Sequence, residues 1–497
     1  MTYHVKIRRG LLVLAGMVAC LAIGVWVERL GLPHGVAADG YQFFDNLVDV
    51  RAQILRNYVE PVDDKKLMVG AIDGMLSQLD PYSSYFTKEE WEAFDKQTRG
   101  QFSGIGTEVA QDPQTGRFMV ISPIEDSPAL KAGVLAGDRI LKANGESLDG
   151  LTLKDLITKL SGAPGTELKL TVVHEGEKTP VELTIKRAVI TVHSVKGYKL
   201  AGENWDYLID SEHRVAYVRI TNFMETTAAD LDRALLPLIN SEKGGGGLRG
   251  IVLDLRFDPG GLLTAGIDVA DRFLESGVIV TTRGRDGKNQ FEARAKKEGT
   301  YPRIPLVVLV NEYSASASEI VAGALYDHHR AVLIGNRTFG KGSVQTLIAL
   351  DGGNAALKLT TAHYYLPSGR YITRMKDAKT WGVEPDAAFL LPLTDVENRD
   401  LLKVRRDSEI IRPRVAAGGG VADTQAATTQ QGFSDRQLQR ALEVLLAHQS
   451  FAGQPPILDV TTTRPTVSAS LPEGGGGTKP ASRPTSSTAP ASPVTQP

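Results

Sequence analysis

The chain has 497 residues, 42% hydrophobic and 23% charged, which is enough for several globular domains with ample cores. A net charge of −2 gives no reason to expect nucleic acid as a partner. The single cysteine, Cys20, excludes an intramolecular disulfide framework, and because it lies in an apolar N-terminal run it also excludes a thiol nucleophile in the rest of the chain.

That run, Leu11 to Val27, carries no charge, follows Lys6, Arg8 and Arg9, and is closed by Glu28 and Arg29. As a helix it spans roughly 26 Å against a ~30 Å bilayer core, a difference that tilt can cover. Val36-Ala37-Ala38 lies roughly ten residues beyond it, farther than a signal-peptidase site usually does. Residues 1–30 are therefore predicted to be a cytoplasmic stub and an uncleaved anchor. Positive charge before the helix would put the remainder of a single-pass protein on the periplasmic or extracytoplasmic side of the cell membrane.

Residues 41–99 have a helical pattern, with breaks at Pro61 and Pro81. The stretch L-D-P-Y-S-S-Y-F, Leu79 to Phe86, reads as a turn between two helices. Residues 100–187 form a small β-rich module. In it Ser127 caps a short helix with Pro128 in its first turn, and Asn144-Gly145 has the chemistry of a two-residue hairpin turn. This module resembles a PDZ domain. In such domains a glycine-containing loop, here Phe102, Ser103, Gly104, Ile105 and Gly106, offers backbone N–H groups to a peptide's terminal carboxylate, and the following strand pairs with the peptide.

Residues 190–393 alternate strands and helices. Val215 to Ile220 and Ile251 to Leu255 read as buried strands, and the second runs into R-F-D-P-G-G-L-L, where glycines let backbone N–H groups face a ligand. Pro305 to Val310 is another strand, and Ile320, Val321, Ala324 and Leu325 then recur at helical spacing. Ser316 sits at that helix start, where unpartnered N–H groups and the dipole suit an oxyanion as well as a cap. Ser316 and Glu319 have the S-x-x-E spacing of a capping box, which taken alone is more often structural than catalytic. Lys341 follows between two glycines, and a strand after it would put Lys341, Ser343 and Gln345 on one face. The pair His328-His329 ends the serine helix, where the dipole favours it, and no H-E-x-x-H accompanies it, so no metal site is expected. Residues 394–433 are predicted as a linker, 434–450 as an amphipathic helix and 451–497 as a disordered tail.

The runs S-A-S-A-S-E-I-V-A-G-A-L and G-K-G-S-V-Q resemble the carboxy-terminal processing (tail-specific) peptidases, a Ser-Lys serine protease family with a PDZ domain. The resemblance covers Tyr41 to Asp386 and part of the last helix. It implies an α+β multi-domain protein, with a crotonase-like α/β protease core, the β-rich PDZ domain and an N-terminal helical region. It also implies that Ser316 is the nucleophile, Lys341 the general base and Gln345 its orienting partner, with oxyanion-hole N–H groups from Gly261 and Ala317. Asp258 stands where the family often has Asn. The expected activity is an endopeptidase that reads protein C-termini and cleaves through an acyl-enzyme, with no cofactor and no metal. Its expected partners are protein substrates with exposed apolar C-termini and the membrane, not nucleic acid, and homo-oligomerisation is compatible with it. For that chemistry Lys341 must be neutral, so burial has to bring its pKa down from the ordinary ~10.4 toward neutrality. Two other readings are a PDZ scaffold with an inactive protease core and a crotonase-like acyl-transfer enzyme.

Overall fold

The computed structural model describes residues 35–112, 115–201, 204–241, 246–411 and 433–451. Two helices come first, α1 (Gly35–Asn57) and α2 (Asp64–Leu76), followed by strand β1 (Ser84–Thr87) and α3 (Lys88–Thr98). The prediction of a turn over Leu79 to Phe86 is therefore only half right. Asp80 Oδ1 does make a turn, accepting the N–H groups of Tyr82 and Ser83 at 2.7 and 2.8 Å, but the chain then enters a sheet.

The expectation of a single-pass membrane protein with its catalytic part outside is corrected here. No helix among the described residues is long and apolar enough to cross a membrane. The run Leu11 to Val27, on which that expectation rested, lies outside the described residues, as does the predicted tail after Phe451.

The module that follows is entered and left through a two-stranded ribbon, β2 (Gln101–Gly104) antiparallel to β9 (Ala188–Thr191), with Gln101 opposite Thr191. Between them lie β3 (Thr107–Gln111), β4 (Phe118–Pro123), the short α4 (Pro128–Lys131), β5 (Arg139–Ala143), β6 (Glu146–Ser147), α5 (Leu153–Leu160), β7 (Glu167–Val173) and β8 (Val181–Lys186). The strands order as β3-β4-β5-β7-β8, so β3 is an edge strand. Leu156 and Leu160 of α5, Leu168 and Leu170 of β7, and Phe118 form the module's own core. Asn144 and Gly145 have φ of 52° and 81°, the left-handed pair that the β5–β6 hairpin turn requires. Ser127 caps α4 through the Leu130 N–H at 3.1 Å.

The remaining strands are β10 (Val195–Lys196), β11 (Lys199–Ala201), β12 (Asn204–Asp206), β13 (Leu208–Asp210), β14 (Val215–Ile220), β15 (Gly250–Asp254), β16 (Val278–Arg283), β17 (Asn289–Arg294), β18 (Leu306–Val310), β19 (Val332–Gly335), β20 (Ser343–Leu350) and β21 (Ala355–Tyr365). Strands β14, β15, β18 and β19 are parallel neighbours in that order. Such strands are covered on both faces, which is why V-A-Y-V-R-I and L-V-V-L-V read as continuous buried runs without polar alternation. Helices α6 (Thr227–Ile239), α7 (Leu263–Asp271) and α8 (Ala317–Asp327) belong to the core on one face, where Leu231, Val269 and Val321 meet Val218, Leu253 and Val308. The other face, Val215, Val252, Val307 and Leu309, packs on Ala441 and Leu445 of the last helix, α10 (Arg436–Phe451). The C-terminal helix is thus part of the core sandwich. A second sheet, β1-β21-β16-β17 with β20 on β21, is antiparallel throughout.

The predicted linker 394–433 opens with a helix, α9 (Asp395–Glu409), capped by Thr394 and Glu397. Buried ion pairs tie it to the core. Asp254 at the end of β15 accepts from Arg256 and, at 2.5 Å, from Arg405 of α9, and Arg256 also makes a two-armed contact with Asp435 at 2.8 Å. The two guanidinium groups hold the Asp254 carboxyl well below the usual range despite its complete burial. This network clamps the start of the turn that follows β15.

Candidate active site

β18 ends at Val310 and α8 begins at Ala317, so Ser316 occupies the tight turn between them. Its φ is 57° and its ψ −113°, a conformation that a residue with a Cβ adopts only under constraint and one that pushes the side chain away from the chain on either side. The Ser316 side chain makes no cap hydrogen bond. The predicted capping box is present, the Ser316 N–H donating to Glu319 at 2.9 Å and the Glu319 N–H facing the Ser316 side chain while it donates to the Ser316 carbonyl at 2.9 Å. The hydroxyl is therefore not consumed by the helix.

Glu319 does more than cap. Its side chain is fully buried and accepts from Thr338 Oγ1 at 2.6 Å, from the Gly340 N–H at 2.7 Å and from the Lys341 N–H at 2.8 Å, as well as from Ser316. One carboxylate thus ties the backbone of Ser316 to the backbone of Lys341. The Tyr364 hydroxyl adds a second tie, donating to the carbonyl oxygens of Ser316 and Lys341. Burial raises the Glu319 pKa, opposed by these donors. Replacing Glu319 by alanine would leave four donors without their acceptor in a dry site, and we expect a loss of about 3–5 kcal/mol in stability. Urea denaturation checks it, and a loss within measurement error would mean the tie is dispensable.

Behind Ser316 runs the turn Asp258-Pro259-Gly260-Gly261. Gly260 has φ 94°, and a Cβ there would lie 2.6 Å from the Ala315 carbonyl and 2.9 Å from the Ala317 nitrogen, so the two turns are in direct contact. Gly261 has φ 151°, and a Cβ would fall 2.1 Å from the Phe223 carbonyl. Neither turn tolerates a side chain at these positions. Among the described residues, the Gly261 and Ala317 N–H groups donate to no acceptor.

A cleft of about 320 Å³ is lined by Ser316, Lys341, Gln345, Gly261 and Lys358, and by Phe94 of α3. Its size is at the low end for ligand pockets. Burial, then the like charge of Lys358, lowers the Lys341 pKa, and Glu319 and Asp80 oppose the change. The Lys341 ammonium lies 4.5 Å from the centre of the Tyr82 ring, so the stretch before β1 forms part of its surroundings. Gln345 lines the cleft with Lys341 and Ser343, and its amide donates to Ser343 Oγ at 2.9 Å and Thr360 Oγ1 at 3.2 Å; the register shift beside it leaves the extra residue, Thr361, in β21. His328 lies apart from the cleft residues, bonded to the Val278 carbonyl at 2.7 Å.

Of the five residues Phe102 to Gly106, the first three are built into β2, and Gly104, Ile105 and Gly106 are buried. The Ile105 and Gly106 carbonyls accept from Ala129 and Ile124, while their N–H groups donate to no acceptor among the described residues. Phe102 and Ser103 face a mostly apolar depression shared with Ala93 of α3 and Pro164, and its wall reaches Asn222 and Met224 of the cleft. Sequence reasoning missed Tyr82, Tyr364 and the bridging role of Glu319. The S-x-x-E spacing was the one available signal, and it pointed to a cap.

Comparison with known proteins gives three family matches. These are peptidase family S41 over residues 214–389, a PDZ domain over 119–174, and the activating protease CtpB N-terminal domain over 38–90. A carboxy-terminal-processing protease of Bartonella bacilliformis is 43% identical over 347 residues, covering 70% of this chain and 75% of that protein. The carboxy-terminal processing protease CtpA of Bacillus subtilis is 36% identical over 358 residues, 72% of this chain and 71% of that protein. Among solved structures, the photosystem II D1 C-terminal processing protease is 31% identical, with 74% of this chain and 92% of that chain covered and a TM-score of 0.39.

Proposed function

Because the chain belongs to peptidase family S41, among its serine-type carboxy-terminal processing proteases, we propose that it cleaves proteins with Ser316 as nucleophile and Lys341 as general base. The neutral Lys341 amine takes the Ser316 proton as Oγ attacks the scissile carbonyl, the Gly261 and Ala317 N–H groups receive the oxyanion, the Lys341 ammonium returns the proton to the leaving amine as the C–N bond breaks, and water then hydrolyses the acyl-enzyme. The observation that carries this reading is that Ser316 and Lys341 line one cleft beside two backbone N–H groups with no acceptor of their own. Gln345 is assigned a place near the base, to be reached by a rotation of its amide away from Ser343 and Thr360. The core is read as crotonase-like, spanning residues 190–393, with the PDZ domain at 100–187 inserted ahead of it.

Substrate choice is assigned to the PDZ domain. The edge strand β3 can accept one more strand, and the amides of Ile105 and Gly106 can receive a terminal carboxylate beside the apolar depression. Peptides with apolar C-termini should therefore be cut faster as free acids than as amides, by about tenfold or more, since one charge-assisted contact is worth roughly 1.5–3 kcal/mol. Measuring kcat/KM for the paired peptides tests it. Equal rates would make this a general protease that does not read chain ends.

A further inference from the structure

Asp258 lies in the turn between β15 and the cleft, with its side chain fully buried. Oδ1 accepts the Gly260 N–H at 2.8 Å, while Oδ2 is buried with no hydrogen-bond partner among the described residues. Its backbone carbonyl accepts the Ala315 N–H and the Ser318 hydroxyl, each at 3.0 Å. No charge compensates it. Arg256, two residues earlier, is turned to Asp254 and Asp435, and the Glu319 carboxylate of α8 is engaged by Ser316, Thr338, Gly340 and Lys341. An ionised carboxylate with one bare oxygen in a dry wall is far costlier than the neutral acid. Burial pushes the Asp258 pKa well above its ordinary value, opposed by the Gly260 amide and the nearby Ser318 hydroxyl.

The residues that Asp258 holds are those that frame the chemistry. Gly260 precedes the proposed donor Gly261, and Ala315 and Ser318 flank Ser316 and the proposed donor Ala317. We propose that Asp258, kept as the neutral acid, is a positioning residue for the oxyanion hole, and that loss of its proton switches the enzyme off at alkaline pH. The proposal rests on the assignment of Ser316, Gly261 and Ala317. A charge at Asp258 would sit behind both donors, oppose the oxyanion that forms in front of them and pull the Gly260 amide toward itself. The neutral acid has the shape and polarity of an amide, so asparagine should substitute for it without titrating.

The sign of the stability effect follows from the raised pKa. The folded protein keeps a proton that the unfolded chain has already lost, so stability is full below the ordinary Asp pKa and is lost as pH rises through the Asp258 value. Asp258→Asn should escape that loss. The full chain and Asp258→Asn are compared by kcat/KM on one peptide and by Tm, from about pH 5 to about pH 10. We expect Asp258→Asn to have an alkaline limb moved up by about one pH unit or more and a Tm advantage that grows with pH.

Equal alkaline limbs, with Ser316 still labelled by a fluorophosphonate in both proteins, overturn the Asp258 proposal alone. No labelling of Ser316 in wild type overturns the nucleophile assignment and this proposal with it. Lys358 also titrates in the cleft, but the Asn substitution leaves its contribution in place. Should Asp258→Asn not fold, the proton can be read by infrared in the wild-type protein carrying 13C-labelled aspartate side chains, which separates Asp258 from Glu125 and Glu319, two other carboxyls raised by burial. An un-ionised acid C=O stretch at neutral pH supports the proposal, and its absence overturns it.

Discussion

Ser316→Ala is expected to lower peptide turnover by about 10⁴-fold or more, the scale on which serine proteases lose activity with their nucleophile. The fold should be unaffected, because the hydroxyl makes no cap hydrogen bond and alanine tolerates the positive φ about as poorly as serine does. Ser316→Gly, equally inactive, should be more stable by about 1 kcal/mol, since it relieves the strain. The neighbouring serines provide the contrast. Ser314 Oγ donates to the Leu255 carbonyl at 2.8 Å and accepts the Asn311 N–H at 3.0 Å, and Ser318 Oγ donates to Asp258. Their alanine variants should lose stability, about 1–2 kcal/mol each, and keep most of the turnover. Hydrolysis of a fluorogenic peptide together with urea denaturation separates the two patterns, and turnover by Ser316→Ala near the wild-type level would remove the nucleophile from the mechanism.

Lys341→Arg should be as inactive as Lys341→Met. A guanidinium keeps the charge and part of the reach but cannot surrender its proton. In wild type, kcat/KM should rise with pH as Lys341 deprotonates, along a limb displaced below the ordinary lysine range by burial and by the Lys358 charge. Lys358→Met should move that limb upward. The folded Lys341 pKa lies below the unfolded value, so the unfolded chain binds more protons between the two and stability rises with pH across that interval. A pH profile of wild type and the three variants checks these points together. A Lys341→Arg enzyme with substantial activity would reduce the lysine to an electrostatic role.

The local features were legible in the sequence, and the distant ones were not. The strand before Ser316 and the helix after it are written in a β-branched run followed by 3.6-residue spacing, and Asn144-Gly145 announces its own turn. The glycine turn after β15 and the helix start after Ser316 were legible as places where backbone N–H groups go unpartnered, while the choice of Gly261 and Ala317 among them came from the family resemblance. The contacts that tune the site join segments far apart. Tyr82 reaches Lys341 from a segment far earlier in the chain, and Arg256 meets Asp435 179 residues away, so no window of sequence contains either pair. α9 was hidden for another reason: its composition is charged and few of its residues are buried, so it reads as linker, although Thr394 and Glu397 spell a capping box. Gln345 lines the cleft with Lys341 and Ser343, as alternation along β20 implies, but that pattern does not tell that its amide donates to Ser343 and Thr360.

The ribbon β2·β9 has a consequence for the cost of carrying an inserted module. The Val192 N–H donates to the Gly100 carbonyl at 2.8 Å, so the two ends of the insertion meet within one hydrogen bond. An unfolded insertion of roughly ninety residues would impose a loop-closure entropy of about 4 kcal/mol on everything that must come together around it. Folded and pinched at its base, the same segment presents the core with a connection little longer than a hairpin turn. The two share no strand pairing, since every strand of the module pairs only within it. The core still gains by the amount of disorder that the module removes from the chain between α3 and β10, so a substitution that unfolds the module weakens the protease core by more than the loss of direct contacts such as Trp205 with Glu125.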